Sequence, residues 1–425
     1  MTRLRGRSYA IALFALFAVV VFVDGRLSME LIAFKAGTHD FPVPSLLDAY
    51  SRYDSGWYHS IASRGYFYAG PDLQSSVAFF PAYPAAMRLV GLVVGNFVLA
   101  GFLVTLASGF AVAALFHRWV TGFLGDGAAR FALALFLCYP FAFYLGGAVY
   151  SEALFLVAVL GAFVLIERDK PLLAGLAGVI ATAARPVGVA VCVLLVLRVL
   201  ELRGVFPGGR PATLVDARPS AGRPNSIAEV RGHRLALLPQ RVDLSALRRV
   251  RPTDFGVVLS VLGVVGFMAL LAVRFDEPFA FAEVGGAAGW WKGTGWEVFL
   301  KIHLFRLLDA FGLNIVTFWL VAQGLFGVVA LAAVPAVVRR FGWAYGAYVL
   351  VSVGIAFAET RDFIGMGRYV LPALPAFAAV ADVVLRWSAG AMGGVRRWLP
   401  AVVLGVNATL EVWMVSLFAR WYFLS

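Results

Sequence analysis

Apolar runs of membrane-crossing length recur along this 425-residue chain, near residues 9–23, 90–116, 129–149, 152–166, 254–274, 311–338, 342–358, 369–385 and 399–418. A spanning helix needs roughly 20 apolar residues, so the shorter runs require flanking residues to reach both interfaces. The chain is 61% hydrophobic and only 14% charged, with a mean hydropathy of +0.84. Packed as a water-soluble globule, it has too few polar groups to cover its surface, whereas a bilayer solvates apolar surface directly. An ordinary soluble enzyme is excluded. The expected fold is an all-α polytopic membrane protein, a single transmembrane domain over residues 1–425.

The charge pattern sets the expected orientation. A net charge of +12 suggests nucleic acid in a soluble chain, but these basic residues fall between apolar runs and are read as topology signals, with no nucleic acid as partner. Arg3, Arg5 and Arg7 precede the first run and no convincing small-x-small cleavage site follows it. It reads as a retained signal-anchor helix with a cytoplasmic N-terminus, a cleaved signal being the alternative. The segment 201–253 carries ten arginines from Arg203 to Arg251 and should be cytoplasmic; its 201–225 part, mixing Pro, Gly and Arg, reads as a disordered linker or a juxtamembrane arm for anionic membrane lipid. That placement requires residues 172–200 to cross twice, as two helices hinged near Arg185, where Pro186 lacks a backbone donor and disfavours helix at its neighbour. The count is then about ten or eleven membrane segments, with an outward C-terminus.

Three stretches are left facing outward: 24–88, 275–308 and 359–368. The first is too long for a connector and rich in aromatic residues and proline, which argues for function rather than disorder. Within it Leu46, Leu47, Tyr50, Asp54, Trp57, Tyr58 and Ile61 recur at near-helical spacing, which predicts one amphipathic interface helix. The glycine-rich 285–296 has no Walker pattern and reads as an aromatic flap, with Trp290, Trp291 and Trp296 able to stack on a sugar or to anchor at the interface. The two cysteines, Cys138 and Cys192, lie inside apolar runs, so neither a disulfide framework nor a thiolate metal site is expected.

A carboxylate at a membrane interface is costly without a partner or a task. Asp54 is the first such residue, with capping a helix or pairing with Arg52 as its structural alternative. Asp24 ends the first span at the same outer surface, and chain geometry allows it to converge with Asp54; it could equally terminate that helix beside Gly25. Glu152 lies at the next outward turn, where a first-turn dipole interaction is the alternative. Arg185 and Arg368 are the cationic candidates, each suited to a lipid phosphate, or to an ion pair with Glu152 or Glu359. His39, His59 and His303 have no metal-ligand spacing, and nothing in the sequence requires a cofactor; a divalent metal on Asp24 and Asp54 is compatible with the pattern.

Several segments together resemble one family. Tyr53-Asp54-Ser55-Gly56-Trp57-Tyr58, followed by Ile61-Ala62-Ser63-Arg64-Gly65-Tyr66, is similar to the Trp-Asp-Ser signature of the PIG-V family, the second mannosyltransferase of GPI-anchor biosynthesis, and its bacterial relatives. So are Phe79 to Pro84, Tyr150 to Phe155, Ala184 to Gly188, and Arg368 to Pro372 with Pro375, all in order between about residues 50 and 376. The sequence departs at Tyr53, where the family usually has Trp. The resemblance implies a GT-C fold and a sugar transferase. Such an enzyme moves a sugar, mannose by this resemblance, from a polyprenyl-phosphate donor to a lipid, glycan or protein acceptor on the outer face, with inversion. Carried over by position, Asp54 is the base or its near partner, Asp24 a second carboxylate, Arg185 and Arg368 phosphate contacts, and Glu152, Trp57, Tyr58 and His59 substrate contacts, Glu152 orienting sugar or acceptor. The Ala-, Gly-, Val- and Arg-rich composition fits a high-GC bacterium, hence a plasma membrane, and the resemblance implies an active site on its outer face. The rival from another class is a transporter or flippase of lipid-linked sugar, which places its binding site at mid-membrane between repeated halves. No internal repeat is found.

Overall fold

The computed structural model describes residues 2–33, 37, 39–206, 242–290, 295–389 and 394–422, and is helical with no strand among them. The helices run α1 (Thr2–Leu31), α2 (Asp54–Arg64), α3 (Ala82–Val94), α4 (Phe97–Leu124), α5 (Asp126–Leu137), α6 (Glu152–Ile166), α7 (Pro171–Ala184), α8 (Val189–Arg203) and α9 (Leu262–Phe275). Then come α10 (Ala280–Glu283), α11 (Trp296–Phe299), α12 (Ile302–Phe311), α13 (Ile315–Ala332), α14 (Val334–Phe341), α15 (Trp343–Glu359), α16 (Met366–Tyr369), α17 (Leu374–Ala389) and α18 (Leu399–Ala419). Among the described residues five stretches are long and apolar enough to cross a bilayer: Gly6–Leu31, Phe97–Leu124, Pro252–Phe275, Ile315–Phe341 and Arg396–Ala419. Ala82–Val94, Glu152–Ile166, Pro171–Ala184 and Trp343–Glu359 are apolar but shorter, so the larger segment count depends on these helices and their flanking residues.

Three expected elements take a different form. Residues 90–116 are not one helix: α3 stops at Gly95, whose φ of 73° is a left-handed C-cap, and Asn96 restarts α4 by accepting a hydrogen bond from Leu99 N at 2.9 Å. Residues 129–149 are helical only to Leu137. Pro140 and the Gly146-Gly147 pair then leave 138–151 as turns and a short 3-10 segment, nearly all of it buried. Irregular backbone is tolerated at membrane depth only where protein surrounds it, and here α4, α5, α6 and α18 do so. The amphipathic helix expected over 46–61 is broken at Ser51–Tyr53 into a 3-10 segment, Ser45–Tyr50, and α2.

The break has a physical cause in Arg52, which is fully buried rather than on a polar face. Its guanidinium donates to Ala419 O at the end of α18 and to Asp48, lies 4.5 Å over Trp421, and meets His39. Satisfying a buried cation with partners from both ends of the chain outweighs continuing a short helix. The ion pair considered for Arg52 and Asp54 therefore does not form; Asp48 takes that place.

Residues 172–200 do form two helices, α7 and α8, with Arg185 in extended conformation (φ −155°, ψ 149°) between them. Both outer ends return to one pole. Asp169, just before α7, binds Arg203 at the end of α8 (2.6 Å) and Arg251 (2.7 Å), and Arg203 also binds Asp254. A buried cluster at the same pole links Glu167, Arg198, Glu201 and Tyr345. The arginines between 207 and 241 that motivated a cytoplasmic segment lie outside the described residues.

Candidate functional site

At the opposite pole, four charged residues from distant parts of the chain join hand to hand. Asp54 opens α2 and Glu152 opens α6, positions where the helix dipole favours a carboxylate. Arg368 Nη1 donates to Asp54 Oδ2 at 2.8 Å, and its Nε lies 3.5 Å from Glu152 Oε1. Glu152 also accepts from Arg185, whose Nη1 approaches Ser151 Oγ at 3.4 Å. Tyr58 OH donates to the same Ser151 Oγ at 2.9 Å. The backbone N–H of Asp54 donates to Tyr150 OH at 3.2 Å.

Each side chain is held by its local backbone. Tyr53, with φ 49°, turns the chain abruptly into α2 and so aims Asp54; a bulky residue adopts such a conformation only where its surroundings impose it. Gly367 permits a close approach: a β-carbon there would come within 2.0 Å of the Phe141 ring. Tyr139 OH donates to Gly367 O at 2.8 Å, which fixes Arg368 against the irregular 138–151 stretch. The Arg368 guanidinium lies 5.4–5.7 Å from the ring centres of Tyr144, Tyr150 and Tyr369, an aromatic lining that suits a desolvated cation.

Asp54, Tyr58, Ser151, Arg185 and Arg368 line one cavity of about 210 Å³. All three stretches expected outside contribute to its wall: Phe79 and Phe80 from the first, Phe281 and Trp290 from the second, Glu359 and Thr360 from the third. Lys301 secures the third by donating to the carbonyls of Phe357 and Thr360, and its burial pushes the ammonium down to about 8.

The remaining candidates lie elsewhere. Asp24 does not line the cavity; it sits on α1 with Ser28, Arg420 and Glu411 as its polar neighbours, because α1 packs along α18. The expected convergence of Asp24 with Asp54 is thus not formed, and among the described residues no three His, Cys, Asp or Glu side chains gather as a metal-holding group. His59 stacks on Phe41 with ring centres 4.5 Å apart, and burial lowers its pKa below the ordinary value. Trp57 stacks on Phe79 behind the cavity wall. Trp296 is exposed and does not line the cavity, while Trp291 lies outside the described residues. Sequence reasoning passed over Tyr144, Thr360 and Lys301, which no local pattern distinguishes from packing or loop residues.

No family model and no curated protein matches this chain. Among solved structures it is similar to ArnT from Cupriavidus metallidurans bound to undecaprenyl phosphate, at 14% identity and a TM-score of 0.48, over 97% of this chain and 76% of that one. It is also similar to the Archaeoglobus fulgidus oligosaccharyltransferase in the apo form, at 13% identity and a TM-score of 0.48, over 96% of this chain. The match spans 56% of that longer enzyme. The archaeal oligosaccharyltransferase AglB in complex with an inhibitory peptide and a dolichol-phosphate matches at 13% identity and a TM-score of 0.44, over 95% of this chain and 55% of that one.

Proposed function

We propose that this chain is an integral membrane glycosyltransferase that moves a sugar from a polyprenyl-phosphate donor to an acceptor hydroxyl at the outer face of the plasma membrane, with inversion. The observation that carries the reading is the Asp54–Arg368–Glu152–Arg185 chain on one cavity. A lipid phosphate is already a good leaving group, so three tasks remain: taking the acceptor proton, stabilising the departing phosphate, and aligning the two.

Asp54 suits the first task. Arg368 engages Oδ2, leaving Oδ1 without a hydrogen bond among the described residues and free to accept a proton. Arg185 suits the second. Glu152 and Ser151 hold its Nη1, while Nε and Nη2 make no hydrogen bond among the described residues; these two can grip a phosphate in the side-on, bidentate manner of a guanidinium. Glu152 then acts as the strut that keeps both arginines oriented. The preference for mannose rests on the sequence resemblance to PIG-V-like enzymes.

Incubating the purified protein and a membrane acceptor extract with radiolabelled polyprenyl-phosphate mannose, arabinose and galactose tests the reading. One donor should lose its label to the acceptor fraction, and Asp54→Asn should stop that loss. If none of the donors is consumed by folded protein, the proposal fails.

A further inference from the structure

One carboxylate in the cavity has no part in this transfer chemistry. Glu359 is the last residue of α15, where the negative end of the helix dipole disfavours an anion. It is exposed, lines the cavity, and makes no salt bridge or hydrogen bond among the described residues. The ion pair with Arg368 considered for it is absent, because Arg368 turns to Asp54 and Glu152. Neither helix stability nor pairing accounts for a charge here.

In the same cavity wall stands Trp290. Its indole packs edge-on against Trp57 (5.7 Å, 68°) and Phe79 (6.0 Å, 78°), which are themselves stacked at 17°. That arrangement holds the indole out from the stack. Gln74 Nε2 donates to Ala288 O at 3.0 Å and ties the turn before Trp290 to the first outer loop, so this part of the glycine-rich segment is a fixed wall rather than a free flap. An aromatic ring and an unpaired carboxylate in the wall of one cavity are chemistry for a pyranose ring: C–H groups lie on the indole, and ring hydroxyls donate to the carboxylate.

We propose that Trp290 and Glu359 form a pyranose subsite. It deepens the transferase reading and rests on that reading only for the sugar's role, since the ring belongs either to the donor or to a glycan acceptor. The test is saturation-transfer NMR on the full chain in detergent with the methyl glycosides of mannose, galactose and arabinose as probes. At least one should receive saturation at its ring C–H protons. Trp290→Ala should weaken that binding about tenfold, the loss of one stacked ring, and Glu359→Gln should weaken it severalfold. Trp290→Phe should keep most of it, which separates lost stacking from lost folding, and Glu283→Gln, outside the cavity, should leave it unchanged. No saturation of any probe by wild type, or unchanged binding in Trp290→Ala and Glu359→Gln, overturns the subsite.

Adding the polyprenyl-phosphate sugar names the occupant: displacement of the probe assigns the ring to the donor, and retention assigns it to the acceptor. The two proposals fail separately. Sugar binding that depends on Trp290 in a protein that consumes no donor keeps the subsite and removes the transferase. Normal transfer, with wild-type KM values, by Trp290→Ala and Glu359→Gln does the reverse.

Discussion

Asp54 and Arg185 make different demands on their chemistry, and substitutions can separate them. Asp54→Asn keeps the volume and the contact with Arg368 but removes the basic lone pair, so turnover should fall by about 10²–10⁴, the range for a lost general base, with donor binding nearly intact. A structural Asp54 would instead lower the thermal midpoint and leave the turnover of the folded fraction near wild type. Asp24→Asn, on a residue outside the cavity, should change turnover far less; an equal loss would place a second carboxylate in the reaction after all. For Arg185 the informative change keeps the charge. Arg185→Lys retains a cation for Glu152 but replaces a planar fork by a point charge, so donor affinity and turnover should both drop, and Arg185→Ala should do worse. Wild-type donor kinetics in both variants would make Arg185 a structural partner of Glu152.

Among the elements, the segment from Ser45 to Arg64 is where pattern and structure part most clearly. Apolar spacing found its helical character, but no periodicity could find the break, because Arg52 is buried by groups at residues 48 and 419 that lie far apart in the chain. The same holds at 138–151, where hydropathy sees an apolar run and cannot see that Pro140 and two glycines turn it back on itself. The charged site residues were legible for the opposite reason: in a chain this apolar, each isolated charge is conspicuous and demands an explanation. The Asp48–Arg52 knot also gives a pH dependence. Burial works to raise the Asp48 pKa, but the hydrogen bonds from His39 and Arg52, with the Arg52 charge, more than offset it and hold the carboxyl well below its ordinary value. A carboxyl depressed in the folded state stabilises above its unfolded pKa, about 3.9, and loses that contribution as pH falls toward its folded value. Wild-type thermal midpoints should therefore drop on acidification below about pH 4 more steeply than those of Asp48→Asn. At neutral pH Asp48→Asn should be the less stable, by about 1–3 kcal/mol, for a buried Arg52 has lost the partner of its charged hydrogen bonds.

Across the whole molecule, charge is divided between two poles, and the membrane reading turns on which faces out. One pole holds the cavity with Asp54, Glu152, Arg185 and Arg368; the other gathers Asp169, Arg203, Arg251 and Asp254, with Ser245 exposed beside them in the 3-10 segment Leu244–Arg249. The α7–α8 hairpin connects the poles, turning at Arg185 and closing at Asp169 and Arg203. Because positive loops stay in the cytoplasm, the arginine pole should be inside and the cavity outside. Single cysteines placed in a chain with Cys138 and Cys192 replaced by alanine give the test: Leu73→Cys, in the exposed loop between α2 and α3, should react with a membrane-impermeant maleimide in intact cells, and Ser245→Cys should react only after the cells are opened. Labelling of Ser245→Cys in intact cells, with Leu73→Cys protected, would invert the molecule, put the cavity in the cytoplasm, and leave an outer-face transferase without access to its acceptor.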